Sequence, residues 1–262
     1  MLKRDITTYN YLIEDSHKAF PSNFDIDTRT DPDRTSKALY DDLLNLFFAK
    51  SQIKARNIEQ EDFYNKNSVF YTIFVNEDEF RLSSDYIGPS IYWARECGIK
   101  DDKIINFLKI SRTIGGHILW PRGKQPTLNQ VKAGNNGFYD RIDWTLLAIA
   151  SFYEITSEKK NNQINFLEAC SNLLPSEVRH YKQLESKFKR VYKALQNHKS
   201  WFDSFGDFNN FCTFFNLKES FVDNECNIIP LTSLFPILPL DYEEYIDNSI
   251  KAISQRNNNF NI

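Results

Sequence analysis

The chain has only eight glycines and a single methionine in 262 residues. Its four cysteines, Cys97, Cys170, Cys212 and Cys226, stand far apart with no CxxC pair. That spacing excludes a thiolate zinc knuckle and, at this length, argues against a disulfide framework. No apolar run approaches the ~18 residues of a membrane span. The first residues, MLKRDITTYNYLIED, meet charges before any apolar run, which is not the order of a secretory signal. The expectation is a reduced, soluble, cytoplasmic protein with no membrane partner. Neither a Walker loop nor GxGxxG occurs, so no standard nucleotide-binding fold is indicated. No internal repeat and no low-complexity linker divides the chain.

Acid is missing from one place. From Lys103 to Tyr139 there is no Asp or Glu, although the chain as a whole has formal net charge -3. Five of the eight glycines, Gly115, Gly116, Gly123, Gly134 and Gly137, fall in the same neighbourhood.

What is present is enough for a core. Hydrophobic residues make up 41% and aromatic residues 15% of the chain, well away from a disordered composition. A domain of this size buries roughly three quarters of its unfolded surface. The pattern of elements predicts one α+β domain over 1–262, helix-dominated with a small antiparallel sheet. A strand, helix and hairpin part spans 1–100 and a helical part spans 101–262.

Residues 23–30 (NFDIDTRT) alternate as a short strand, and Asp31-Pro32-Asp33 opens a helix that carries Leu39, Leu43, Leu46 and Phe47 on one stripe. Residues 50–67 read as a polar loop. SVFYTIFV (68–75) is the best strand, paired through NEDE with FRLS (80–83). Ser84 or Asp85 is expected to cap a helix ending near Gly98. Residues 101–111 form another helix, and HILWP (117–121) a buried strand. Helices follow from Asp140 to Glu154, over NQINFLEACSNLL, over SEVRHYKQLESKFKRVYKAL, and from Asp241 to the end, with Glu244 placed for a capping box.

Several short stretches recur together: DPD at 31–33, SSD at 83–85, IGG at 114–116, Pro121, TLN at 127–129, DRIDWTL at 140–146 and SFGDF at 204–208. They resemble a bacterial protein family of unknown function over roughly residues 20–255, most specifically in IGG…P…TLN…DRxDxTL. The resemblance implies no activity. This chain departs from it in carrying Lys132-Ala133 where relatives favour Arg-Gly, and His117 where they favour an apolar residue.

The acid-free segment admits two readings. Its glycines can let backbone N–H groups converge on an oxyanion, while Arg112, Arg122, Lys124 and Lys132 supply charge. Gly115, Gly116 and Asn129 belong to the same candidate ligand site. The ligand would then bear phosphate, as a nucleotide or RNA does. Alternatively the segment crosses an acidic face of its own protein. Arg112 and His117 also share the Arg-x4-His spacing of a helical ribonuclease superfamily, with His117 as proton carrier, although the paired glycines disfavour a helix there.

Asp140, Arg141 and Asp143 are the remaining catalytic candidates. Asp140 and Asp143 can cap and charge a helix start. With Arg141 turned aside, the two carboxylates could instead hold Mg²⁺ or orient a water beside phosphate, with Asp85 or the Asp31/Asp33 pair as a third ligand. Residues 179–199 add Arg179, Lys182, Lys187, Lys189, Arg190, Lys193 and Lys199, a solvated basic face or, if beside the loop, half of a nucleic-acid groove. The aromatic run 201–215 has the spacing of a buried helix rather than a base-stacking surface. Two functions remain open: an intracellular nuclease or nucleotide-processing hydrolase, of the kind found among toxins and phage-defence effectors, or a non-catalytic module that binds nucleic acid or protein.

Overall fold

The fold is described from a computed structural model covering residues 5–15, 36–48, 56–62, 69–75, 78–122, 124–132, 141–174, 182–232 and 239–260. The expected strand at 23–30, the Asp31-Pro32-Asp33 helix start and Asp140 lie outside these residues. So do Gly123, Gly134, Gly137 and Arg179.

In chain order the elements are α1 (Tyr11–Asp15), α2 (Lys37–Phe48), β1 (Arg56–Asp62), β2 (Val69–Val75), β3 (Asp78–Tyr86), α3 (Ile91–Glu96) and α4 (Asp101–Ser111). A 3-10 turn (Ile114–Gly116), β4 (His117–Arg122), α5 (Leu128–Val131), α6 (Ile142–Ser157), α7 (Gln163–Leu173) and α8 (Lys182–Asn197) follow. The chain closes with α9 (Lys199–Asp203), α10 (Phe208–Phe214) and α11 (Pro239–Asn259). This is a helix-dominated α+β fold. Its sheet is antiparallel, four-stranded and ordered β1-β2-β3-β4.

The β2–β3 hairpin forms where β-branched and aromatic residues predicted it, in the register Tyr71↔Leu82 through Val75↔Asp78. Two expectations are corrected beside it. Residues 56–62 (RNIEQED) form an edge strand rather than a loop, pairing Glu59 with Thr72 and Asp62 with Val69. A charged sequence can occupy an edge because its partner is the β2 backbone, and charge there deters further pairing. Ser84 and Asp85 do not cap a helix. β3 runs on to Tyr86 because β4 supplies partners, Ser84 opposite Leu119 and Tyr86 opposite His117, and α3 starts only after Ser90.

The core is aromatic. Trp120, Trp144, Trp201, Phe202, Phe211 and Phe215 are buried, and each such side chain stabilises the fold by roughly 1.5–3 kcal/mol. The 201–215 run is therefore core, as its spacing predicts, but it is two short helices rather than one. Gly206 at φ 83 breaks it, and Asp207 caps α10 through its side chain to Asn210 N. α6 is buried on almost every side from Ile142 to Phe152 and packs against α7 and α8. α11 lies along α4 and the 3-10 turn. Its Glu244 accepts from Thr232 Oγ1 at 2.9 Å, tying α11 to the segment before it.

Candidate functional site

The start of α6 brings Arg141 and Asp143 together. Arg141 is not turned aside. Its Nε donates to Asp143 Oδ1 at 2.8 Å and its Nη2 to Oδ2 at 2.5 Å. The same carboxylate accepts from Trp144 N at 2.9 Å and from Leu231 N at 3.0 Å. Arg141 lies 5.1 Å from the ring centres of both Trp144 and Tyr245. Both side chains are closed to solvent, at 0% and 1% exposure. Two oxygens with four donors in a dry site leave little for a metal or a water, and the arrangement joins α6 to residue 231 and to α11. Among the described residues no group of three or more His, Cys, Asp or Glu could hold a metal ion.

The glycines of the IGG turn have a packing reason. Gly115 N donates to Asn257 Oδ1 at 2.7 Å and Gly116 N to Thr113 O at 3.0 Å. A Cβ on Gly116 would come within 2.0 Å of Ser111 O, and one on Gly115 within 2.5 Å of Asn257 Oδ1. The expectation that these N–H groups face an oxyanion is thus corrected: Asn257 of α11 takes that of Gly115 and Thr113 O, at the start of the turn itself, takes that of Gly116. Arg256 completes the join, its Nη1 donating to Gly115 O and His117 O at 2.9 and 2.7 Å, and its Nε and Nη2 to Phe215 O. Burial pushes the Arg256 pKa down to about 9, which still leaves it a cation at neutral pH, bonded to carbonyls alone.

His117 is buried at the start of β4 and shares a hydrogen bond with Ser84 Oγ at 3.1 Å. Tyr40 OH accepts from Ser84 N at 2.8 Å. Arg112 is buried too, 3.8 Å over the Tyr86 ring, with Nη1 donating to Ser111 Oγ. Arg112 thus stands over the β3 residue that pairs with His117, but no helix carries the two as the ribonuclease spacing requires.

On the other side chains of β3, α5 and its C-cap Lys132 make two bridges. Asn129 Nδ2 donates to Ser83 Oγ at 3.1 Å, and Lys132 pairs with Asp85, their side chains only 8% and 16% exposed. A helical spacing of three meets a strand spacing of two, so both contacts form together. Asp85, considered above as a metal ligand, is matched to a lysine. Lys103 likewise meets Glu243 at 2.8 Å and Asp247 at 2.7 Å on α11. For these two lysines the segment does cross acids of its own chain.

The cations that remain at the surface lie elsewhere. Arg122, the last residue of β4, is half-buried and Lys124, in the loop that follows, is exposed; that loop is fastened to α8. Asn197 Nδ2, in the last turn of α8, donates to Gln125 O at 2.8 Å. His198 follows directly. Its pKa is lowered, first by burial, while its bond to Ala194 O opposes the shift and the nearby Lys124 charge adds to it. α8 buries Leu184, Phe188, Val191 and Leu195 and exposes Lys189, Arg190 and Lys193. Lys187 is half-buried, and burial, then the Arg190 charge, lowers its pKa. Glu185 accepts from Lys189 at 2.5 Å across one exposed turn, a contact worth roughly 0.3–0.5 kcal/mol.

The model of a family of unknown function, DUF6994, matches residues 17–172 and 173–260, nearly the whole chain. The chain belongs to that family. No curated protein matches it, and no solved structure does. In this DUF6994 protein, Arg256 and Asn257 are the site-building residues that sequence reasoning passed over. A signal existed: both continue the Ile246, Ile250, Ile253 stripe of α11, where polar residues are out of place unless bonded.

Proposed function

We propose that the protein binds the phosphate backbone of RNA along α8 and the adjoining β4–α5 loop. Lys189, Arg190 and Lys193 occupy the exposed stripe of α8, and the Asn197 bond to Gln125 O brings Lys124 to the end of that stripe. That bond is the observation that carries the reading, since it joins the basic helix to the acid-free loop as one surface. A net charge of -3 requires such contact to be local, and a row of exposed cations, of which Lys189 also meets Glu185, suits phosphate better than base edges.

The expected behaviour is weak, salt-dependent binding of a fluorescent 20-nucleotide RNA. The triple variant Lys189→Ala, Arg190→Ala, Lys193→Ala is expected to weaken it about tenfold at low salt. It should also shallow the dependence of affinity on salt by about two, since each lost phosphate contact on a single strand removes ~0.7. Circular dichroism should show an unchanged fold. Equal binding by wild type and triple variant sinks the reading, as does no binding at low salt. DNA of the same sequence decides whether the ribose hydroxyl contributes.

An enzymatic form of this function, a hydrolase acting on the bound phosphate ester, is supported by the Lys132–Asp85 pair. Asp85 on β3, at 16% exposure, there faces Lys132 just after the TLN stretch. Incubating the labelled RNA with protein, with and without Mg²⁺, separates the two. Cleavage lost in Asp85→Asn with binding kept supports an enzyme, and intact RNA in both supports a binding module.

A further inference from the structure

We propose that Cys212 and Cys226 are a redox-active pair that closes to an intramolecular disulfide under two-electron oxidation by a peroxide. Both are free thiols. Cys212 lies on the buried side of α10, at 0% exposure, while Cys226 is partly exposed. Cys226 sits in a small hairpin held by the Val222↔Ile228 bridge and by Asp223 N donating to Asn227 O at 2.9 Å. The Asp223 carboxylate accepts from Glu225 N, Asn227 N and Asn227 Nδ2, fixing the tip.

Within that hairpin Cys226 adopts φ 65, a left-handed conformation that a side chain rarely takes. Its sulfur meets α10, where Sγ donates to Asn209 Oδ1 at 3.3 Å. Asn209 precedes Cys212 by three residues on α10, so the two share a helix face. Burial first, and then the neighbouring Cys226, push the Cys212 thiol above its ordinary range. Lys218 Nζ donates to the same Asn209 Oδ1 at 2.6 Å. A lysine ammonium and the Cys226 thiol thus meet at one acceptor, beside the exposed member of the pair.

The chemistry divides accordingly. Cys226 gives up its proton as its sulfur attacks one peroxide oxygen, the O–O bond breaks, and the departing hydroxide takes that proton as water, leaving the sulfenic acid. The Cys212 sulfur then attacks the Cys226 sulfur, the S–O bond breaks, and the departing hydroxide takes the Cys212 proton as a second water. Two thiols and one hydrogen peroxide yield one disulfide and two waters.

The test is oxidation of the full chain with hydrogen peroxide, followed by non-reducing peptide mapping and return with dithiothreitol. The expected result is a linked pair of peptides bearing residues 212 and 226, formed reversibly and while Cys97 remains reduced. In Cys212→Ala, Cys226 is expected to stop at the sulfenic acid, trapped by dimedone. Oxidation of Cys226 in the wild type without a link to Cys212 overturns the proposal. So does a pair that stays reduced after Cys97 has reacted. The wild-type map decides even if the variant does not fold.

Discussion

Asp143 shows how much one residue's role depends on what surrounds it. As a carboxylate three residues after Asp140 it has the spacing of a metal or base pair, but its oxygens are bonded to Arg141, Trp144 N and Leu231 N. A buried pair of this kind is costly to break and cheap to replace whole, because removing one partner strands the other charge. Asp143→Ala is therefore expected to cost about 3–5 kcal/mol in urea unfolding. Arg141→Met with Asp143→Leu should cost clearly less than the two single losses added. A cost of Asp143→Ala below about 1 kcal/mol, the ordinary effect of a point mutation, would show the pair to be expendable. RNA binding should fall in Asp143→Ala only as far as folding does.

Among elements, the turn between α4 and β4 is the tightest joint. α4 ends at Ser111, and within five residues the chain must reverse into β4 while α11 packs across it. Only a residue without a side chain fits beside Ser111 O. Gly116→Ala is expected to lower stability by at least ~2 kcal/mol, in the range of overpacked cores, and to loosen the His117–Ser84 contact. Thermal unfolding followed by circular dichroism measures the first, and the line width of the His117 ring proton by NMR the second. An unchanged melting temperature would mean that the turn yields easily. α8 is the opposite kind of element: one apolar stripe anchors it, its cations point outward, and charge there can change without touching the core.

Across the whole molecule, α11 binds the parts together. Arg256 reaches the 3-10 turn, β4 and the end of α10 through one guanidinium. Its planar fork reaches three carbonyls from Nε, Nη1 and Nη2, a spread of donors that a compact lysine ammonium lacks. Arg256→Met is expected to cost about 3 kcal/mol or more, because three buried carbonyls lose their donor. Hydrogen exchange should show faster opening in β4 and α10 together, whereas protection lost in α11 alone would contradict a joining role.

Much of this was legible in the chain itself. The period of apolar residues marks α2, α4, α6, α7, α8 and α11, and β-branched content marks β2, because those signals are local and the core enforces them. The charged β1 was not legible, since backbone pairing to β2 holds it and its side chains carry no pattern. The acid-free segment was visible as composition, but its meaning was not. The sequence alone determined which residues are cationic, which are small and which must be buried. Only the tertiary structure decided that Lys103 and Lys132 meet acids, that Gly115 and Gly116 yield space to α11 and Ser111, and that Lys124 stands beside α8. Those outcomes are set by contacts between residues far apart in the chain, where neither spacing nor composition carries the information.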